Sequence, residues 1–282
     1  RSQTVTGVQT CALPISDTSA WQKELEARLS GSQAAYRNWA EGGVSTMAVG
    51  AALQGAAGNV EGRWEQQHET RMTIGYLKTG AERFRKSDDL LRWSSTLLYQ
   101  GAGMFSSWKP ALSGALRTQF APGFDYTGNP YADGREPPVR ISEFMAPGIT
   151  TQSLGLQYDQ ISWLSQRFGI GGKQTWVRLR QYRPLYGLAP DNAVRWEIGL
   201  ESRTQVDLQL LEGTRLRSSL DLFRSFGGGA ELPDLVWENI LSISANEWIS
   251  TNLELVFLYD ADIRKDIQIK EVLSVGISFA LI

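Results

Sequence analysis

The chain has 282 residues, 28 basic against 30 acidic side chains, a net charge of -2 and a single histidine, a balance that excludes a general polyanion-binding protein. Mean hydropathy is -0.26, and no run approaches the ~18 unbroken apolar residues of a membrane-spanning helix, so a helical membrane protein is excluded as well. A membrane barrel is not excluded, because alternating lipid-facing and lumen-facing residues average to a soluble-looking hydropathy.

Taken in chain order, residues 1–16 (RSQTVTGVQTCALPIS) read as a translated sequencing adapter rather than as part of the fold. The expectation is that the native start and any export signal are missing and that residues 17–282 form one barrel domain. Past Cys11 there is no cysteine, which removes disulfides, thiolate metal sites and cysteine nucleophiles.

Period-two alternation starts at 22–31 and recurs at 44–57, 61–77, 89–103, 108–120, 148–158, 160–180, 192–210, 214–226, 234–245, 248–260 and 267–281. Near 62–77, Trp64, Met72, Ile74 and Tyr76 share one face, and Arg63, Glu65, Glu69 and Arg71 share the other. In the next segment Leu91, Trp93, Leu97 and Tyr99 oppose Arg92, Ser94, Thr96 and Gln100. Segment 160–180, interrupted at Gly169–Gly172, reads either as one long strand with a bulge or as two short ones. The clearest stripe is 194–208, where Val194, Trp196, Ile198 and Leu200 alternate with Arg195, Glu197, Gly199 and Glu201. It far exceeds an ordinary strand of about five or six residues and suits a transmembrane strand of about 9–11 tilted residues. In the last segment Leu273, Val275, Ile277, Phe279 and Leu281 alternate with Ser274, Gly276 and Ser278. Just before it, Lys270-Glu271 aims Glu271 at lipid unless a bulge resets the register or the residue lies at the interface.

Tight connections at Gly58–Val60, Met104–Ser107, Tyr158–Gln160, Leu211–Gly213 and Asn246–Glu247 alternate with longer ones at 32–43, 78–88, 121–147, 181–191, 227–233 and 261–266. Outer-membrane barrels carry short turns on the periplasmic side, so both ends fall in the periplasm and the strand number is even. Trp64 and Tyr76, on one apolar face, are separated by about 30 Å along the membrane normal, as two aromatic girdles would be. The fold class read from these features is all-β, an antiparallel up-and-down transmembrane β-barrel of about twelve strands in a Gram-negative outer membrane. A soluble lipocalin-like barrel or sandwich would instead bury the apolar faces; strand length, loop alternation and aromatic strand ends weigh against it.

Six stretches carry a resemblance: SQAAYRNWAEGG (32–43), FRKSDD (84–89), TQFAPGFDY (118–126), ISEFMAPG (141–148), LDLFRSF (220–226) and IQIKEVLSVGISF (267–279). From Trp21 onward the chain resembles an uncharacterised outer-membrane barrel family of Bacteroidota, domain of unknown function 3078. The resemblance implies a barrel and an outer-membrane address and implies no reaction. One departure is the end, Ile282 with Phe279 three residues back, where many outer-membrane barrels finish on an aromatic residue.

Three places could carry function. The lumen face collects Arg63, Glu65, Glu69, Arg71, Arg92, Arg117, Arg178, Arg180, Arg195, Glu197, Glu201, Arg203, Asp207, Arg215, Arg217, Asp221, Glu238 and Glu254. It reads as a charge-selective pore or, preferred, as an ion-pair network filling a narrow barrel. The rim loops hold Asn38, Trp39, Arg85, Asp88, Asp89, Asp125, Asp133 and Glu143, a possible hard-cation or ligand surface that turn chemistry explains equally well. His68 has the parity of Trp64, points outward, and makes a poor base for a hydrolase. No cofactor or metal is expected. The expected partners are outer-membrane lipid and lipopolysaccharide, the barrel-assembly machinery during insertion, and a small solute of unknown identity, with no nucleic acid. Three functions follow in order: a narrow pore or transporter for small polar or anionic solutes, a non-transport structural or binding barrel using its rim, and last an outer-membrane hydrolase.

Overall fold

A computed structural model describes residues 21–36, 43–131, 133–227, 232–246 and 248–281. Twelve antiparallel strands close into a single barrel. In chain order these are β1 (Gln22–Ala34), β2 (Thr46–Glu61), β3 (Trp64–Thr79), β4 (Arg85–Tyr99) and β5 (Trp108–Thr118). A small hairpin of β6 (Gly123–Asp125) and β7 (Val139–Ser142) stands apart from the barrel. The barrel resumes with β8 (Gly148–Ile161), β9 (Leu164–Trp176), β10 (Val194–Leu211), β11 (Thr214–Ser225), β12 (Asp234–Ser244), β13 (Ile249–Asp260) and β14 (Arg264–Ala280). Each strand pairs with its neighbour in sequence, β5 pairs with β8 across the inserted hairpin, and β14 returns to β1.

Closure leaves no sheet edge, so the ladder satisfies the backbone polar groups without water. The closing seam is short, joining Glu26–Ser30 to Ala280–Gly276. Strands approach closely there: a Cβ on Gly276 would stand 2.4 Å from the Leu29 carbonyl oxygen, so only glycine fits. Arg28 reaches over β14 and donates to the Ser250 carbonyl oxygen on β13 at 3.0 Å, fastening the seam from inside.

The outward face is apolar and uncovered. On β10 Trp196 and Ile198 are 69% and 64% exposed, and Leu273 on β14 is 69% exposed. A continuous apolar belt of this kind has no place in water, and it is the surface of a transmembrane barrel. Aromatic pairs mark the short-turn end, with ring centroids 5.0 Å apart for Trp64–Tyr99, 5.3 Å for Trp108–Tyr158 and 6.1 Å for Trp248–Phe279. Trp237–Phe257, 5.4 Å apart, stands toward the opposite end.

Several local expectations change. The turn expected at Gly58–Val60 lies at Gly62–Arg63, because Gly58, Asn59 and Val60 stay paired with Gln67, Gln66 and Glu65, and Gly62 supplies the positive φ of 62° the reversal needs. The turn expected at Tyr158–Gln160 likewise moves out to residues 162–163. Of segment 160–180, residues 164–176 form a single strand, β9, whose pairing with β10 runs through Gly169–Gly172 without a register shift; residues 160–161 end β8 and 177–180 lie beyond β9. The loops expected at 78–88 and 261–266 shrink to 80–84 and 261–263, since β4 and β14 start earlier than the apolar pattern does. Glu271 faces outward opposite Leu255 with no bulge beside it; the β13–β14 register shift lies at Leu258/Asp260. Eight residues above Phe279, it stands about 20 Å along the normal, near the outer limit of an apolar band about 25 Å tall.

The long-loop end carries its own small core. Ala146, Val177, Tyr182 and Leu188 are buried together, with Tyr131, Leu179 and Tyr186 packed against them. The Tyr186 hydroxyl donates to the Ile141 carbonyl oxygen, tying segment 177–193, which includes a 3-10 helix at Arg180–Tyr186, to the β6–β7 hairpin, and within that hairpin the Tyr131 hydroxyl donates to the Arg140 carbonyl oxygen. Burial pushes the Tyr131 phenol up to about 12, so it stays a neutral donor. Removing a fully buried aromatic costs about 3–5 kcal/mol. Tyr182→Ala is therefore expected to loosen this cap alone: trypsin should cut after Arg178 or Arg180 at least tenfold faster while barrel unfolding stays unchanged. Wild-type cleavage rates would disprove the role of this core.

Candidate functional site

Direct cross-strand partners in an antiparallel sheet share a face, and the register puts Arg71 of β3, Arg92 of β4 and Arg117 of β5 in one row across the lumen wall. Three adjacent guanidiniums repel one another, so this row is stable only if anions reach it. They come from the far wall. In the barrel order, β4 and β12 are diametrically opposed.

Glu238 of β12 accepts a hydrogen bond from Arg92 at 2.7 Å and lies 3.7 Å from both Arg71 and Arg117. Asp221 of β11 takes the second Arg92 nitrogen at 2.8 Å, and Glu254 of β13 takes Arg71 at 2.6 Å. Lys270 of β14 bridges Glu254 at 3.0 Å and Asp88 of β4 at 2.8 Å. Arg203 of β10 lies 3.4 Å from Asp221 and 3.7 Å from Glu69 on β3. Together these contacts form a brace across the lumen rather than a coating on its wall. Arg71 is about 18 Å above Trp64 along the normal, which places the brace within the apolar band.

The brace divides the interior. A chamber on the short-turn side and one on the long-loop side each have a volume of about 150 Å3, and Arg92 and Arg203 line both. At the short-turn end, Lys109 joins buried Glu65 and Asp159, each at 3.0 Å. At the long-loop end, Lys173 gathers Asp234, Asp260 at 3.1 Å and Glu197 at 3.2 Å, while Arg195 binds Glu197 at 3.1 Å and Asp262 at 3.2 Å. Between these layers Arg167 donates to Glu201 and Thr96, and beside the β10–β11 turn at the short-turn end Arg215 holds Asp207 by two bonds of 2.6 Å.

Most of the expected lumen residues therefore do line the lumen: Glu65, Glu69, Arg71, Arg92, Arg117, Arg195, Glu197, Glu201, Arg203, Asp207, Arg215, Arg217, Asp221, Glu238 and Glu254. Three do not. Arg63 sits in the tight turn and donates to the Tyr99 hydroxyl at 3.1 Å. Arg178 and Arg180 lie beyond the end of β9 and pair with Glu143 and Asp191 in the rim cap, because the strand stops at Trp176. Asp88, expected on the rim, belongs to the lumen network through Lys270. Lys109, Asp159, Arg167, Lys173, Asp234, Asp260 and Lys270 were missed. Arg167 and Lys173 share the lumen parity of Gly169 and Gly171, and those glycines hid the alternation.

The remaining rim residues do local work. Arg85 pairs with Glu82 and stacks on Tyr126, 4.6 Å from the ring centre. Asp89 accepts from the backbone N–H groups of Phe120 and Ala121, anchoring the long loop. Backbone donors from Thr127 and Gly128 hold the Asp125 carboxyl below its ordinary range, and Arg135 does the same for Asp133. Glu143 joins Arg140 and Arg178. Among the described residues no group of three or more metal-ligating side chains converges. Asn38 and Trp39 lie outside the described residues. His68 faces outward and stacks on Trp21 with centroids 5.6 Å apart, away from the lumen.

The profile of a family described as "Protein of unknown function (DUF3078)" matches residues 32–124. No curated protein matches the sequence. Among solved structures, the translocator domain of the autotransporter NalP from Neisseria meningitidis is 11% identical with a TM-score of 0.37, covering 95% of this chain and 90% of that one. The COG4313 outer membrane channel from Pseudomonas putida F1 is 11% identical with a TM-score of 0.39, covering 95% and 96%. OmpF of Salmonella typhi, in complex with daunomycin, is 9% identical with a TM-score of 0.28, covering 93% and 96%.

Proposed function

We propose that this protein is an outer-membrane barrel of a Gram-negative envelope, of the kind its sequence resembles in Bacteroidota, and that its lumen is held shut, so that it acts as a binding or structural barrel rather than as an open diffusion pore. The observation that carries this reading is the 2.7 Å bond between Arg92 and Glu238 across the full barrel diameter. A cation and an anion joined inside a low-dielectric wall are screened little by salt, and separating them leaves each uncompensated. The apolar belt and its aromatic ends support membrane residence, and the short turns and both strand ends on one side support a periplasmic position for that side. The rim cap would then face outward, toward lipopolysaccharide, and insertion would use the barrel-assembly machinery.

The test is conductance of the refolded barrel in a planar bilayer. The expected result is insertion without steady unitary current; a constant open-channel current in the wild type would reject the closed lumen.

A second reading, gated passage of a small anion, is favoured by one observation. The two chambers share Arg92 and Arg203, so a single layer of side chains separates them.

A further inference from the structure

In the long-loop chamber two arginines make no hydrogen bond: Arg203 still has Asp221 at 3.4 Å and Glu69 at 3.7 Å, and Arg117 is the more weakly answered of the two. The Arg117 guanidinium forms no hydrogen bond among the described residues. Its nearest carboxylate oxygen, on Glu238, is 3.7 Å away, and that carboxylate is already bonded to Arg92. The register explains the surplus: of the three arginines in the row, Arg71 is answered by Glu254 and Arg92 by Asp221, but no acidic residue is placed for Arg117. Its cross-strand neighbour on the other side is Ile149.

One side of the chamber is an apolar wall of Ile149, Phe223, Leu258 and Ile263; the rest is lined by charged groups, chiefly Lys173, Arg203, Glu201, Asp221, Asp234 and Asp260, which are paired among themselves. A volume of about 150 Å3 is that of a cavity able to take benzene. Five N–H donors held in a fixed fork match a planar carboxylate, and leaving them unpaired away from bulk water is costly.

We propose that this chamber binds a small organic monoanion, a carboxylate on a benzene-sized aromatic or short aliphatic body. Arg117 grips the carboxylate and the apolar wall covers the body. A strongly hydrated dianion such as phosphate gains nothing from that wall and meets Asp221 and Glu201 in the same chamber. The proposal rests on the closed lumen, because the brace is the floor of the chamber.

Equilibrium dialysis of labelled benzoate against the refolded barrel in detergent tests it. Expected are saturable binding at one site per barrel, little competition from phosphate or benzylamine, a loss of at least tenfold in affinity for Arg117→Met, and an intermediate loss for Arg117→Lys. Leu258→Glu keeps Arg117 but supplies an internal carboxylate, and should abolish binding; it serves as the second variant if Arg117→Met does not fold. No saturable binding at millimolar benzoate, or equal affinity in wild type and Arg117→Met, overturns the site. These failures are distinguishable from failure of the closed-lumen reading, which shows as wild-type current in the bilayer whatever the dialysis gives.

Discussion

Replacing Glu238 with Ala is expected to open the lumen to anions and to cost the barrel about 3–5 kcal/mol, the range for removing one partner of a buried ion pair. One carboxylate faces three guanidiniums here. Without it, Arg71, Arg92 and Arg117 remain side by side on adjacent strands with nothing from β12 to answer them, and the side-chain contact across the diameter is lost. The positive surplus then favours anions at the narrowest point.

Glu238→Gln separates charge from shape. The amide oxygen still accepts from Arg92, so the lumen stays closed more often, but the repulsion within the arginine row is no longer offset. Removing both members in Arg92→Ala/Glu238→Ala takes away one charge of each sign and the diametric bond, so current should appear with a smaller stability loss than in Glu238→Ala. Reversal potential in a salt gradient reads selectivity, and urea unfolding in detergent reads stability. A Glu238→Ala barrel as silent and as stable as the wild type would sink the brace as the closing element.

On the outer surface, Leu273→Arg is expected to destabilise the barrel in lipid by about 2–4 kcal/mol, the range for a cation near the bilayer midplane. Leu273 faces outward opposite Leu253 and lies six residues above Phe279, about 15 Å along the normal. Two residues farther up, at the outer boundary, Glu271→Arg should cost no more than about 1 kcal/mol. The contrast between these neighbours on one face is the informative quantity. Equal, small penalties at both positions would mean that this belt does not face hydrocarbon.

Strand number and the two faces of each strand were legible because lipid on one side and charge on the other force strict alternation, a local pattern that needs no knowledge of neighbours. Trp196, Ile198 and Leu200 against Arg195, Glu197 and Glu201 state both faces of β10 unaided. The alternation read poorly where glycine replaces a lumen side chain. Gly169 and Gly171 mask β9, and with it Arg167 and Lys173, two of the most buried charges in the barrel. Turn positions were read too early at Gly58–Val60, because a glycine within a pair looks the same in one dimension as a glycine at a reversal.

What the sequence by itself determined about this protein is the two-faced strand: an apolar outside, a charged inside, an even count and an outward His68. Only the tertiary structure decided what the inside does. Arg92 and Glu238 stand 146 positions apart in the chain, and nothing local distinguishes a carboxylate that lines an open pore from one that crosses it. That distinction depends on barrel diameter and stagger, which set whether side chains from opposite walls can touch. Here they touch, and the same geometry leaves Arg117 as the one arginine of the row without a carboxylate of its own.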